Sequence, residues 1–371
     1  MKHLKLFENT NAYQAWKNSE DYVLPNVSYV VETDYVNFDP YVFVDMRDNY
    51  LTIEALEDGL TASLSVNACE YCIDGDENWK SLAAGTTTES INSGQTLSFR
   101  GNLTPTNSKG IGTFTINKKC NLKGNCMSML FGDNAANNYS LSGKGYAFYK
   151  LFYNCTNIIN INSNFLPATT LSDYCYANMF RGCTSLTTAP TLPATALSDY
   201  CYSSMFYECS KLTTAPALPA TTLADYCYFN MFKACIGLTT APELPATTLA
   251  YACYDCMFQT CKSLTVAPEL PATTLADVCY RSVFEDCSSL TVAPELPATT
   301  LAFGCYDKMF SSCSKLNYVK MLATDISASY CLNNWVSGVA STGTFVKHPN
   351  MTTLPTGKSG IPSGWTVVDA A

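Results

Sequence analysis

One phrase returns along this chain at a fixed interval. "LPATTLADYCYFNMFKACIGLTTAP", from Leu218 to Pro242, is one copy, and the copies open at Leu166, Leu192, Leu218, Leu244, Leu270 and Leu296, a spacing of 26 residues each time. A strict period in the range of roughly 20–50 residues marks a stack of units, none of which can bury its apolar side alone. The stretch therefore cannot be a set of independent globular domains. Its core has to lie between neighbouring copies.

Each copy combines two local signals. "LTTAP" or "LTVAP" is a short β-favourable run closed by proline, and "YCYxxMFxxC" spaces Tyr176, Met179, Phe180 and Cys183 as one apolar face of a helical turn. The expected rung is thus strand, turn, helical turn. Phe180, Phe206, Phe232, Phe258, Phe284 and Phe310 recur in register, as do Leu186, Leu212, Leu238, Leu264, Leu290 and Leu316. Both series read as core ladders.

Four regions follow: an attachment segment at 1–40, a small β-sandwich-like domain at 41–122, the repeat solenoid at 123–322 and a β-rich cap at 323–371. The second region alternates polar and apolar residues in "LTIEAL", "LTASLSV", "TLSFRG" and "GTFTI", as antiparallel strands do. Asp74-Gly75 sits between two such runs and predicts a hairpin turn. "YAFYKLFYNCTNII" is an atypical first rung, and after Leu316 the phrase decays, with Lys320 where the repeat has proline. Terminal rungs of a stack need such caps.

Charge and composition narrow the function. A net charge of -9 argues against a nucleic-acid partner, because phosphate binding needs clustered cations and only Lys118, Lys119 and Lys123 group together. No apolar run is long enough to cross a membrane, and "MKHLKLFENTNAY" turns polar before an export signal could form, so neither membrane insertion nor Sec export is expected. The chain has two histidines, His3 and His348, both outside the array, which leaves nucleophilic catalysis without a base. "NLKGNC" and "SGKGY" lack the spacing of a phosphate loop, and the alternation of Asp74, Asp76 and Asn78 fails as a calcium loop because Trp79 stands where glycine is required. The chain reads as a non-enzyme without cofactor or metal.

Twelve of the 19 cysteines form two series, one at Cys175, Cys201, Cys227, Cys253, Cys279 and Cys305 and one at Cys183, Cys209, Cys235, Cys261, Cys287 and Cys313. They are expected to be reduced, small buried residues. Cys69 and Cys72 alone do not make a zinc site. The candidate ligand-contacting residues are two repeated sets. Thr187, Thr188, Thr213, Thr214, Thr239 and Thr240 form a hydroxyl ladder on the strand, where alternation should turn part of each pair outward. Glu243, Glu269 and Glu295 form an acidic stripe suited to a cationic partner.

The unit of apolar-Phe-x-x-Cys-x-x-Leu resembles the BspA-like, or Treponema pallidum-type, leucine-rich repeat over residues 145 to about 320. Met179-Phe180 stands where that family usually has Ala-Phe. The resemblance implies a leucine-rich-repeat solenoid, with a short parallel strand plus helical turn per rung. The segments "NACEYCIDG", "GTFTI" and "GIPSGWTVVDA" are similar to companion domains of such repeats in gut Bacteroidales and their phages, and residues 1–40 resemble N-terminal segments of virion-associated phage proteins. The implied protein is a phage virion appendage that joins a virion protein through its N-terminal segment and displays the repeats to a host surface protein or glycan. The alternative is a bacterial cell-surface adhesin. A homo-oligomer is compatible with either.

Overall fold

The computed structural model describes residues 27–31, 42–45, 49–76 and 78–371. Most of the predicted attachment segment lies outside the described residues. Its β1 (Val27–Val31) pairs antiparallel with β2 (Val42–Asp45), which lies in the second region.

Eight strands follow: β3 (Leu51–Ala55), β4 (Ala62–Leu64), β5 (Cys69–Ile73), β6 (Lys80–Leu82), β7 (Thr96–Arg100), β8 (Phe114–Ile116), β9 (Cys120–Lys123) and β10 (Ile158–Ile161). Six form one sheet in the order β10-β9-β3-β7-β5-β6, while β4 and β8 pair separately. Alternation sets the inner face: Phe114 and Ile116 are buried with Thr115 exposed between them, and Leu51, Ile53 and Ala55 are fully buried. The turn after β5 has positive φ at both Asp74 (52°) and Gly75 (67°), as the Asp-Gly signal requires. Trp79 packs edge-on to Tyr50 and carries the Arg100 guanidinium 4.1 Å from its ring.

The sheet leads into the array. β10, which belongs to the first rung, runs parallel to β9, and its Asn160 bridges to Thr188 of the next rung. From there the expected architecture fails. Between Ile161 and Tyr318 the described chain has neither a strand nor an α-helix, and its one α-helix is α1 (Ser128–Phe131), four residues long. The predicted solenoid of a strand plus a helical turn per rung is therefore corrected on both counts.

In place of the strand are isolated parallel bridges: Thr214 to Thr240, Thr240 to Val266 and Val292 to Tyr318 in one row, Ala196 to Thr222, Thr248 to Thr274 and Thr300 to Asp325 in another. Proline is the cause, because it has no N–H to give a ladder. Pro190, Pro216, Pro242, Pro268 and Pro294 stop the pairing just after the bridge. The chain supplies its own control. Asn162 and Lys320 occupy the proline position in the first and last rungs, and those rungs form real four-residue strands, β10 and β11 (Tyr318–Met321).

In place of the helical turn is a ribbon of consecutive β-turns with a period of four. The N–H groups of Cys175, Ala177, Met179, Arg181 and Cys183 each bond the carbonyl three residues back. Those of Tyr174, Tyr176, Asn178, Phe180 and Gly182 bond Asp199, Cys201, Ser203, Met205 and Tyr207 of the next rung, at 2.8 to 3.0 Å. An α-helix would spend every N–H on its own fourth-preceding carbonyl and leave none for a neighbour. Every fourth residue pays for the ribbon with a left-handed backbone, at φ of 57°, 58° and 76° for Tyr174, Asn178 and Gly182. The same pattern recurs at Tyr200, Ser204 and Glu208, and at Tyr226, Asn230 and Ala234.

Residues at positions i, i+1, i+4 and i+5 of this ribbon turn inward. The predicted Phe and Leu ladders are fully buried, and the Phe rings of neighbouring rungs stack at 5.7 to 5.8 Å from Phe152 to Phe310. A second buried ladder, Tyr176 to Tyr306, stacks at 5.7 to 6.3 Å. One continuous hydrophobic core runs from Leu51 to Trp365. At its far end β11, β12 (Thr344–Lys347) and β13 (Thr366–Asp369) form a parallel sheet. Trp335 closes the Phe column and donates its indole N–H to Gly360 O at 2.9 Å.

Candidate recognition surface

The reactive side chains of the rungs are inside. All twelve repeat cysteines are buried free thiols. In one series Cys183, Cys209, Cys235, Cys261, Cys287 and Cys313 each donate their S–H to a Phe carbonyl of the preceding rung, at 3.0 to 3.2 Å. Burial pushes the thiols of Cys175, Cys235 and Cys313 up to about 12, so they are protonated at neutral pH and are neither nucleophiles nor metal ligands there. Cys69 is also pushed up to about 12 by burial, and a nearby Glu70 adds to it. No group of three or more His, Cys, Asp or Glu side chains gathers into a metal-binding cluster among the described residues.

The predicted threonines are all outside. Thr187, Thr188, Thr213, Thr214, Thr239 and Thr240 are exposed, both members of every pair, rather than one in and one out. The reason is again proline: a single bridge is too short to impose a pleat. Their hydroxyls divide by role. Thr187 and Thr239 donate to Ile159 O and Thr213 O of the preceding rung, at 3.1 and 3.2 Å, and Thr188 donates to Asn160 Oδ1 at 3.1 Å. The hydroxyls of Thr213, Thr214 and Thr240 make no hydrogen bond to the described residues, which leaves them for solvent or a ligand. The row changes character further along, where Val266 and Val292 replace threonine and are 69% and 51% exposed.

A second row was missed in the sequence. Thr221, Thr222, Thr247, Thr248, Thr273, Thr274, Thr299 and Thr300 are exposed as well. "PATT" recurs in the repeated phrase, but its threonines follow proline and alanine and lack the β-favourable leucine that marks the threonines of "LTTAP". Glu243, Glu269 and Glu295 are exposed between the two rows, and Glu295 Oε2 accepts a bond from Lys320 Nζ at 2.9 Å.

The turn ribbon carries a different surface. Tyr146, Tyr174, Tyr200 and Tyr226 stack at 4.5 to 4.6 Å, so their ring faces cover one another and their edges remain. Tyr153, Arg181, Tyr207 and Lys233 form a parallel column. The Arg181 guanidinium lies 4.3 Å from the Tyr207 ring centre and 5.8 Å from that of Tyr153, and Lys233 Nζ is 5.7 Å from Tyr207. Lys150 Nζ reaches Tyr149 and Tyr153 at 5.0 and 5.3 Å. In the next column Asp255, fully buried, is held by Arg281, whose Nε donates to Oδ1 at 3.1 Å. That bond and the carboxylate charge raise the Arg281 guanidinium further above its ordinary range.

No protein family, curated protein or solved structure matches the chain.

Proposed function

We propose that this chain is a non-enzymatic recognition protein whose repeat surface makes the contact. One observation carries the reading: the twelve recurring thiols of the rungs are buried, while hydroxyls and carboxylates stand outside in register from rung to rung. Such a surface suits adhesion to an extended partner, a host surface protein or glycan, better than it suits turnover of a small substrate. The resemblance of residues 1–40 to virion-associated segments favours display on a phage particle, bound to a virion protein through that segment. The same surface would serve a bacterial cell-surface adhesin.

Two measurements test this. Labelled full-length protein should bind the surface of bacterial cells, and Thr214→Lys with Thr240→Lys, whose hydroxyls make no hydrogen bond to the described residues, should change that binding while leaving the thermal transition in place. Antibody labelling should decorate purified phage particles; label on the envelope of uninfected cells would favour the adhesin. A protein that binds no cell surface would end the proposal.

A further inference from the structure

We infer that Tyr153, Arg181, Tyr207 and Lys233 form a binding strip for an acidic polysaccharide lying along the stack. The inference deepens the recognition reading by naming the strip and the ligand class.

The repeats provide an internal comparison. Threonines of the "PATT" row are exposed and nearly identical from copy to copy, while the column that starts at Tyr153 runs Tyr, Arg, Tyr, Lys, Gln259, Glu285. Exposure alone therefore does not make a position vary in this chain. Within the varying column the first four members alternate an aromatic ring and a cation, one per rung, and rungs are about 4.8 Å apart. A sugar residue in an extended chain is close to that length, so consecutive sugars would meet ring, cation, ring, cation.

The cations are free to take an anion. Neither Arg181 nor Lys233 has a carboxylate within ion-pair distance among the described residues, in a chain with a net charge of -9. Stacking on Tyr207 holds the guanidinium plane while leaving donor groups at its rim, which reduces the ordering cost of binding a carboxylate or sulfate. Lys150, against Tyr149 and Tyr153, adds a third charge at the first rung. The strip ends where the sign reverses: Gln259 Nε2 donates to Glu285 Oε2 at 2.6 Å, which offers an anion nothing.

Charge spacing selects the polymer. Arg181 and Lys233 are two rungs, about 10 Å, apart, which suits one anionic group on every second sugar. Double-stranded DNA places a charge every ~1.7 Å and would need a far denser row of cations. A folded protein partner would need about 800 Å² on this side, more than a column one residue wide presents.

The test is affinity electrophoresis of the full chain through gels holding polygalacturonate, dextran sulfate, neutral dextran or double-stranded DNA. Retardation by polygalacturonate or dextran sulfate but not by dextran is expected, with the stronger of the two identifying carboxylate or sulfate as the group bound. Arg181→Gln with Lys233→Gln should weaken it by roughly tenfold or more per charge removed. Tyr207→Ala should weaken it without changing net charge, while Lys315→Gln with Lys358→Gln, which removes the same charge from exposed positions outside the strip, should not weaken it. No retardation by either acidic polymer, equal retardation by DNA, or an unaffected double Gln variant would each overturn the inference. Cell binding that survives in a chain unretarded by both acidic polymers would sink the strip alone and leave the recognition reading standing.

Discussion

Raising the pH should unfold this protein abruptly, because its core is lined with thiols that cannot ionise in place. Burial holds Cys175, Cys235, Cys253, Cys305 and Cys313 up to about 12, against an ordinary value of 9.0 in the open chain. A folded-state value raised above the unfolded one means that the unfolded chain loses protons first. Stability is then fully present below pH 9 and declines as pH rises toward 12. Each such thiol removes on the order of 1 kcal/mol by about pH 10 and on the order of 3 kcal/mol by about pH 11, from the difference in protons bound. Five together remove on the order of 10 kcal/mol by about pH 11, comparable with the whole stability of an ordinary domain at roughly 5–15 kcal/mol. The buried phenols of Tyr176 and Tyr202, raised well above 10 by the same burial, steepen the fall.

Circular dichroism and thiolate absorbance followed in the same titration check this. Both should change in one transition between about pH 10 and 11, and native protein below it should resist alkylating reagents that modify every repeat cysteine once it is denatured. Replacing Cys175, Cys235 and Cys253 by alanine should flatten the slope. Thiolate absorbance that rises near pH 9 while the native spectrum persists would mean the thiols meet solvent, and the inward face of the ribbon would be wrong.

Three further outcomes follow from the packing. Phe232→Ala, which empties a fully buried position between rings at 5.7 and 5.8 Å, should cost about 3–5 kcal/mol in chemical denaturation. Arg281→Ala should cost about 3–5 kcal/mol because it strands the buried Asp255 carboxylate, and pairing it with Asp255→Asn should recover part of that loss in a double-mutant cycle. Deleting residues 218–243, one complete rung, should leave a cooperative thermal transition because each rung bonds the next in the same way, whereas deleting half of that span should abolish it.

The helical turn was the main misreading, and its cause is arithmetic. Cys175, Met179 and Cys183 recur every fourth residue, and so do Tyr176 and Phe180. Over nine residues a helix drifts by only about 80° from that spacing, so the set still fits one helical face of about 100°. The discriminating signal lay between the apolar residues. Asn178, Gly182, Asn230, Asp286, Gly304, Asn334 and Gly338 take positive φ and are residue types that tolerate it, but Tyr174, Ala234, Thr260, Val278 and Lys308 take it at equivalent positions and dilute the signal. Read beside the twin prolines of each copy, they point away from both helix and strand. The Phe and Leu ladders were legible because a core position tolerates no other chemistry; the second threonine row was equally visible and lacked only a reason to be noticed.

What the sequence could have yielded is the set of side-chain partners, given the right rule. On a helix, neighbours are found at i+4. In this stack they are found one period on: Arg181 over Tyr207, Asp255 with Arg281, Gln259 with Glu285 and Asp307 with Asn333 are each 26 residues apart. The ribbon keeps its phase because, giving alternate N–H groups to its neighbour, it cannot gain or lose a residue without putting donors opposite donors; the connecting loops can, and Tyr153 meets Arg181 across an interval of 28 residues. That constraint fixes the columns, and the columns determine which charges meet. Variation in this chain is concentrated in the columns of the turn ribbon, and it is there, at the half-buried Arg181 and Lys233 and at Asp255 and Arg281, that the rungs differ in chemistry while sharing one backbone.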